Sequence, residues 1–316
     1  MSEPLTAGAA APKITDSTRR RARLRRRFLR HRLAVTSLIF LIVMGAGAIA
    51  APLLAHGLGV EAFGIDLFNR FAPADAQHLL GTDEVGRDLF TRLLYGGRVS
   101  LAVGLTAAVF SALIGTIVGL VAGFNGGRLD ALLMRVTDGI IALPILPLLI
   151  VLAAVDLTKL GISVEASGGE AANLTRLIVI IALVGWPTVA RLVRAETLSL
   201  KTRDYVVAAR AQGATPAYIM RRHILPNTLA VIVVATTLSI GNIILLESVL
   251  SFLGLGIQPP TASWGNMLTN AQELVWSEPH LAIWPGCMIF ATVIAFNFLG
   301  DGLQDALDPK SGERES

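Results

Sequence analysis

The chain has 316 residues, of which 53% are hydrophobic and only 16% charged. A soluble chain of this length carries about a quarter charged residues, so low charge and long apolar runs exclude an ordinary soluble enzyme and indicate a polytopic membrane protein. The net charge of +4 is unevenly spread, and the single cysteine, Cys287, excludes a disulfide framework or a cysteine-based metal site within the chain.

In chain order, the first feature is a run of arginines: Arg19, Arg20, Arg21, Arg23, Arg25, Arg26, Arg27, Arg30 and Arg32. They lie directly before an apolar segment, which reads as a topology signal for a cytoplasmic N-terminus rather than a nucleic-acid-binding tail. The apolar run is too long for a secretory signal and ends in no small-x-small cleavage site, so it reads as a retained first span. A membrane helix needs about 20 mainly apolar residues, and six segments qualify. They are 33–54, 99–124, 139–155, 174–190, 229–255 and 281–299. The third is short and contains Pro144 and Pro147, which predicts a kink or a break. The fifth is long and punctuated by Gly241, Gly254 and Gly256, which allows two half-segments. Cys287 falls in the last run and reads as a small buried apolar side chain.

The positive-inside rule then orients the chain. The N-terminal arginines, Arg128 and Arg135 in 125–138, and the basic segment 191–226 belong on the cytoplasmic side. Segment 256–280 has no Lys or Arg and belongs outside, as does 156–173. The region 56–98 should be outside yet holds Arg70, Arg87, Arg92 and Arg98. Six spans place both termini in the cytoplasm. Within 56–98, Asp83, Glu84 and Asp88 form an acidic cluster. Arg87 and Arg92 each follow an acid by four residues, the spacing of helical ion pairs, and Leu89, Phe90, Leu93 and Leu94 supply an apolar face. The expectation is an interfacial helix rather than a metal site.

Between the fourth and fifth spans, residues 208–227 read AARAQGATPAYIMRRHILPN. Asp204 can cap a short helix through Ala211. Gly213 suits the residue just past its C-terminus, and Thr215-Pro216 offers an N-cap with proline at the first helical position. A second short helix would run from Pro216 to His223, with Pro226 ending it and starting the next span. On composition alone, this helix–bend–helix is a basic pair lying on anionic lipid. Its spacing says more. Ala208-Ala209, then Gly213, then Leu225-Pro226 resembles the cytoplasmic coupling loop of ABC-importer permeases, which docks on a separate ATPase subunit. The usual leading Glu is Val207 here, and a usual isoleucine is His223. LGTDEVGRDLFTRLLYGGRVSL (80–101), LSFLGLGIQPPTASWGNML (250–268) and FNFLGDGLQDALDP (296–309) are similar to C-type permeases of the dipeptide/oligopeptide/nickel subfamily.

That resemblance implies an all-α, type I ABC-importer permease of six spans in the bacterial inner membrane. Its implied organisation is a basic cytoplasmic tail at 1–32, and a first helix and external loop with an interfacial helix at 33–98. An ABC-transporter transmembrane domain follows at 99–301, with its coupling loop at 202–226, and then a cytoplasmic tail at 302–316. The coupling residues would be Val207, Ala208, Ala209, Gly213, Thr215, Pro216, Leu225 and Pro226. The implied partners are a homologous B-type permease, two ATPase subunits, an extracytoplasmic binding protein and membrane lipid, with no nucleic acid. The implied cargo is peptide, with nickel or another small solute as the alternative.

The residues add limits of their own. A P-loop needs Gly-Lys-Ser/Thr, and none of Lys13, Lys159, Lys201 and Lys310 follows a glycine, so ATP and Mg are expected only on partner subunits. His31, His56, His78, His223 and His280 lack metal-ligand spacing, and no nucleophile–base pair stands out, so neither a metal site nor a catalytic residue is expected. Glu247 sits mid-span in NIILLESVLSF with Asn242 nearby. A carboxylate there must face a bundle interior, a cavity or a partner, as a pathway group or as seam packing. Asp138, Asn297 and Asp301 read as edge residues. A secondary transporter or channel is the rival from another class. It would need internal repeats and paired broken helices around midplane charges, and Glu247 alone does not supply them.

Overall fold

The computed structural model describes residues 26–155 and 169–307. The remainder of the expected basic tail, the charges of 156–168 and the segment 308–316 lie outside the described residues. Among the described residues the fold is helical, with one isolated bridge between Thr82 and Asp88. The long helices are α1 (Arg32–Leu58), α2 (Leu89–Asn125), α3 (Gly127–Ala142), α4 (Ile145–Ala154) and α5 (Glu170–Leu200). The short α6 (Asp204–Ala211) and α7 (Pro216–Ile219) follow, then a π-helical turn at Met220–Ile224. The chain continues with α8 (Leu225–Phe252), the one-turn α9 (Ala271–Leu274) and α10 (His280–Leu307).

Among the described residues, five helical stretches are long and apolar enough to cross a membrane, and the bent pair α3–α4 makes a sixth if it is one span. The break predicted in the third span is present: α3 and α4 meet at 88°. Pro144 disfavours helical backbone at the residue before it, and Leu143 is extended at φ −75°, ψ 139°. The helix before the break starts at Gly127, well ahead of the expected 139, so most of the supposed loop 125–138 is helical.

Four other expectations are corrected. Residues 82–88 are a loop, not an interfacial helix, because Gly81 and Gly86 take φ values of 79° and 78° that a right-handed helix forbids. Asp88 instead caps α2, accepting from Thr91 N at 2.7 Å, so the second span begins at Leu89 rather than 99. The fifth span is not two halves: Gly241 lies inside an unbroken helix, and Gly254 and Gly256 lie past its end. Cys287 is exposed on α10 rather than buried.

Small residues let these helices approach closely, which is how membrane helices gain packing where no hydrophobic drive exists between them. Gly115, Gly119 and Gly123 stand four apart on α2. A Cβ on them would meet the carbonyl oxygens of Trp186, Ala190 and Arg194 of α5 at 2.7, 2.6 and 2.9 Å. Gly104 of α2 faces Ile244 of α8, and Gly241 of α8 faces Val293 of α10. Gly302 of α10 lies against Ala34 of α1. Helices α1, α2, α8 and α10 thus form a ring, with α5 packed outside on α2 and α8. Charged ties hold α3 on α5: Arg194 grips Asp130 with two bonds, at 2.5 and 2.7 Å, and Arg191 pairs with Asp138.

Candidate functional site

The helix–bend–helix lies at one end of the bundle, between the C-terminus of α5 and the N-terminus of α8. Its bend is a Schellman motif. Gln212 closes α6, Gly213 follows at φ 83°, Gly213 N donates to Arg210 O at 3.0 Å and Ala214 N to Ala209 O at 3.1 Å. Thr215 then caps α7 as expected, accepting from Tyr218 N at 3.3 Å, with Pro216 at its first turn. Asp204 does not cap α6; Arg203 holds that position and Asp204 is the first helical residue, where its charge suits the helix dipole.

Pro226 does not end α7. Proline removes one helical bond and its ring clashes with the carbonyl four residues back. Here the turn before it widens, with Leu225 N donating to Met220 O five residues back. The helical path therefore runs unbroken from Pro216 to Phe252. The second short helix and the fifth span are one rod, about 55 Å long at 1.5 Å per residue.

Apolar side chains fix this unit to the bundle. Val206, Ile219 and Ile224 are fully buried against Leu120 of α2 and Val189, Val193 and Leu200 of α5. Arg210 stacks over Phe124 with its guanidinium carbon 5.6 Å from the ring centre. The opposite face is open. Val207, Ala208, Gly213, Thr215, Pro216 and Pro226 are exposed, and Ala209 and Leu225 half-buried. Ala208, Ala209, Gly213 and Thr215 line a shallow hollow walled by Tyr205, Tyr218 and His223, whose ring pairs lie 6.1 and 5.8 Å apart. A small-residue floor with aromatic walls suits an inserted side chain from another surface. The structure brings six of the eight sequence-chosen residues of this loop to one region around the bend, with Leu225 and Pro226 at the base of the rod.

Asn242 and Glu247 are not brought together. Asn242 is exposed and Glu247 has no exposed surface. Glu247 accepts from Ser100 Oγ of α2 at 2.9 Å and from Ser251 Oγ at 2.7 Å. Each hydroxyl in turn accepts a backbone N–H from the segment after α8: Ser100 from Trp264 at 3.3 Å, Ser251 from Ile257 at 3.0 Å. The carboxylate thus ends a relay that folds residues 253–264 back onto α2. Trp264 is fully buried, donates to Leu93 O at 3.0 Å, and fits because Gly96 and Gly97 have no side chains. Trp264, Ser100 and Ser251 were not singled out in the sequence. Their signal is the pair Gly96-Gly97 and the serines flanking Glu247, legible only once α2 and α8 are known to touch.

Residues 115–312 match the family of binding-protein-dependent transport system inner membrane components, and residues 20–73 match the N-terminal transmembrane domain of oligopeptide transport permease C. The chain is 42% identical to the glutathione transport system permease protein of Pectobacterium atrosepticum, over 90% of this chain and 89% of that relative. It is 41% identical to the dipeptide transport system permease protein of Bacillus subtilis, over 90% of this chain and 84% of the relative. Against the dipeptide transport system permease protein of Alkalihalophilus pseudofirmus the identity is 40%, over 89% and 87%.

Proposed function

The chain belongs to the family of binding-protein-dependent transport system inner membrane components, and from that premise we propose that it is a membrane subunit of an ATP-driven importer of dipeptides and short oligopeptides. It is a multi-pass protein of the bacterial inner membrane. The dipeptide and glutathione permeases to which it is similar point to the cargo class, since glutathione is itself a small peptide. A homologous permease completes the pathway, an extracytoplasmic binding protein delivers the peptide, and two partner subunits carry ATP and Mg.

One observation carries the mechanism: the hollow around Gly213 is joined without a break to α8. The hollow receives a projection of the ATPase surface. Val207, exposed where the coupling-loop pattern it resembles has Glu, makes that contact apolar at one point. ATP binding draws the ATPase pair together and displaces the loop. The buried anchors Val206, Ile219 and Ile224 stop the loop from pivoting freely, so the displacement passes along the rod to its far end near Ser251. The spans re-pack, access alternates, and hydrolysis restores the first arrangement.

The test is uptake of labelled dialanine, tetra-alanine, glutathione and nickel in cells with and without the gene. Loss of a peptide class, abolished equally by ATP depletion, is the expected result. Loss of nickel uptake alone would replace the cargo and keep the machine. Uptake unchanged for all four would overturn the importer reading.

A further inference from the structure

At the end of the bundle opposite the hollow, a cavity of about 260 Å³ lies between loop 81–88, the folded-back segment after α8 and the first turn of α10. Asp83 and Arg92 line it and are each only 4% exposed. Asp83 is fully used. Its Oδ1 accepts from Val85 N at 3.0 Å and Arg87 N at 2.9 Å, and its Oδ2 from Arg87 Nε at 2.7 Å. Arg92 is not. Its Nε stands 3.5 Å from Asp83 Oδ2, and its Nη1 is buried with no hydrogen-bond partner among the described residues. Leaving a buried guanidinium donor unmade is costly, and the fork is shaped for a planar pair of oxygens.

The surroundings narrow the ligand. Glu84 also lines the cavity, 3.5 Å from Arg87 Nη2 and bonded to Asn270 Nδ2 at 3.2 Å. Two carboxylates beside two guanidiniums disfavour a dianion such as phosphate, and favour a ligand with one carboxylate and a cationic group of its own. The volume lies just below the roughly 300–1,000 Å³ of sites for drug-sized ligands, so it suits an amino-acid-sized moiety. We propose that this cavity binds the terminal carboxylate of a zwitterionic short peptide, with Arg92 as its main partner. The inference rests on the peptide-importer reading for the source of that carboxylate. It makes the cavity a receiving site on the membrane subunit, at the end away from the ATPase-facing hollow.

The experiment is equilibrium dialysis of labelled dialanine against the complete transporter in nanodiscs, with the extracytoplasmic binding protein left out. The expected result is saturable binding that weakens about tenfold or more for dialanine amide and for the Arg92→Gln variant, as loss of one charge-assisted bond requires. Asn270→Ala, at an exposed position on the cavity wall, should weaken it less. Equal binding of acid and amide, or no saturable binding, overturns the proposal. The acid–amide comparison uses the unaltered protein and decides the matter even where Arg92→Gln fails to fold. Dialanine uptake measured in parallel separates the two readings: uptake without cavity binding rejects only the cavity, and absent uptake rejects the peptide cargo.

Discussion

Glu247 shows how a single buried carboxylate can hold a membrane protein's outer segment in place. It has no exposed surface, it touches hydroxyls of two helices, and those hydroxyls hold the backbone of Ile257 and Trp264. Between the pathway and packing roles open to such a residue, this arrangement favours packing, and the two roles separate by substitution. Glu247→Gln keeps the shape and an acceptor oxygen, so thermal stability of the purified protein and uptake should both stay near normal. Glu247→Ala leaves a void and serine hydroxyls without their acceptor, at a cost of about 2–4 kcal/mol. It should lower the melting temperature and loosen the 253–264 segment to proteolysis. Loss of uptake in Glu247→Gln with an unchanged melting temperature would make the carboxylate a transport group instead. The sequence marked Glu247 by its cost in a membrane, but while Ser251 lies four residues on, its other partner Ser100 lies 147 positions away, a separation no local pattern encodes.

Among the elements, the bend and the glycine-faced helix α2 make opposite demands on glycine. At Gly213 a Cβ would meet nothing within 4 Å, yet φ is 83°, so the requirement is conformational alone. Gly213→Ala should cost about 1–2 kcal/mol locally, and Gly213→Asn less, because Asn tolerates the left-handed region. Gly213→Pro removes the N–H that bonds Arg210 O and cannot take this φ at all. It should leave membrane insertion intact, leave basal ATP hydrolysis by the partner subunits measurable, and abolish peptide uptake; normal uptake would sink the lever mechanism. At Gly119 the backbone is ordinary and the limit is space, 2.6 Å to Ala190 O. Gly119→Ala should separate α2 from α5 at a cost of about 1–3 kcal/mol, seen as a lower melting temperature. Gly139→Ala on α3 is the matched control, since nothing lies within 4 Å and the backbone is helical. It should be neutral or stabilising by about 0.5–1 kcal/mol. Both kinds of glycine were open to a reader of the sequence, but only the bend announced itself, through the Thr-Pro start of the next helix. The four-residue spacing of Gly115, Gly119 and Gly123 is equally visible in the sequence but names no partner. The long-helix limits failed for a related reason: Leu89–Arg98 and Pro216–Thr228 are too polar to count as span, so helix there reads as short separate pieces, yet it continues unbroken into the spans.

For the whole molecule, the helix directions fix which ends lie together. Gly302 of α10 meets Ala34 of α1, and His31 lies 3.8 Å from Asp305, so the start of the first span and the end of the last share one end of the bundle. Leu238 of α8 meets Gly300, and Gly241 meets Val293, so α8 and α10 are antiparallel and the Gly213 bend lies at that same end. The Arg92 cavity, between the start of α2 and the start of α10, lies at the other. The positive-inside rule assigns the first end to the cytoplasm, and the assignment is testable with one cysteine at a time. Cys287→Ser gives a background free of thiols. In it, Gln212→Cys, exposed beside the bend, and Trp276→Cys, 93% exposed before α10, report opposite ends. A membrane-impermeant maleimide added to intact spheroplasts should label position 276 and leave 212 untouched until the membrane is opened. The reverse pattern would place the hollow outside, away from any ATP, and would overturn the orientation and the lever mechanism together. Labelling of both positions from outside would mean that α8, the membrane-length helix between them, does not cross, and would overturn its reading as a span.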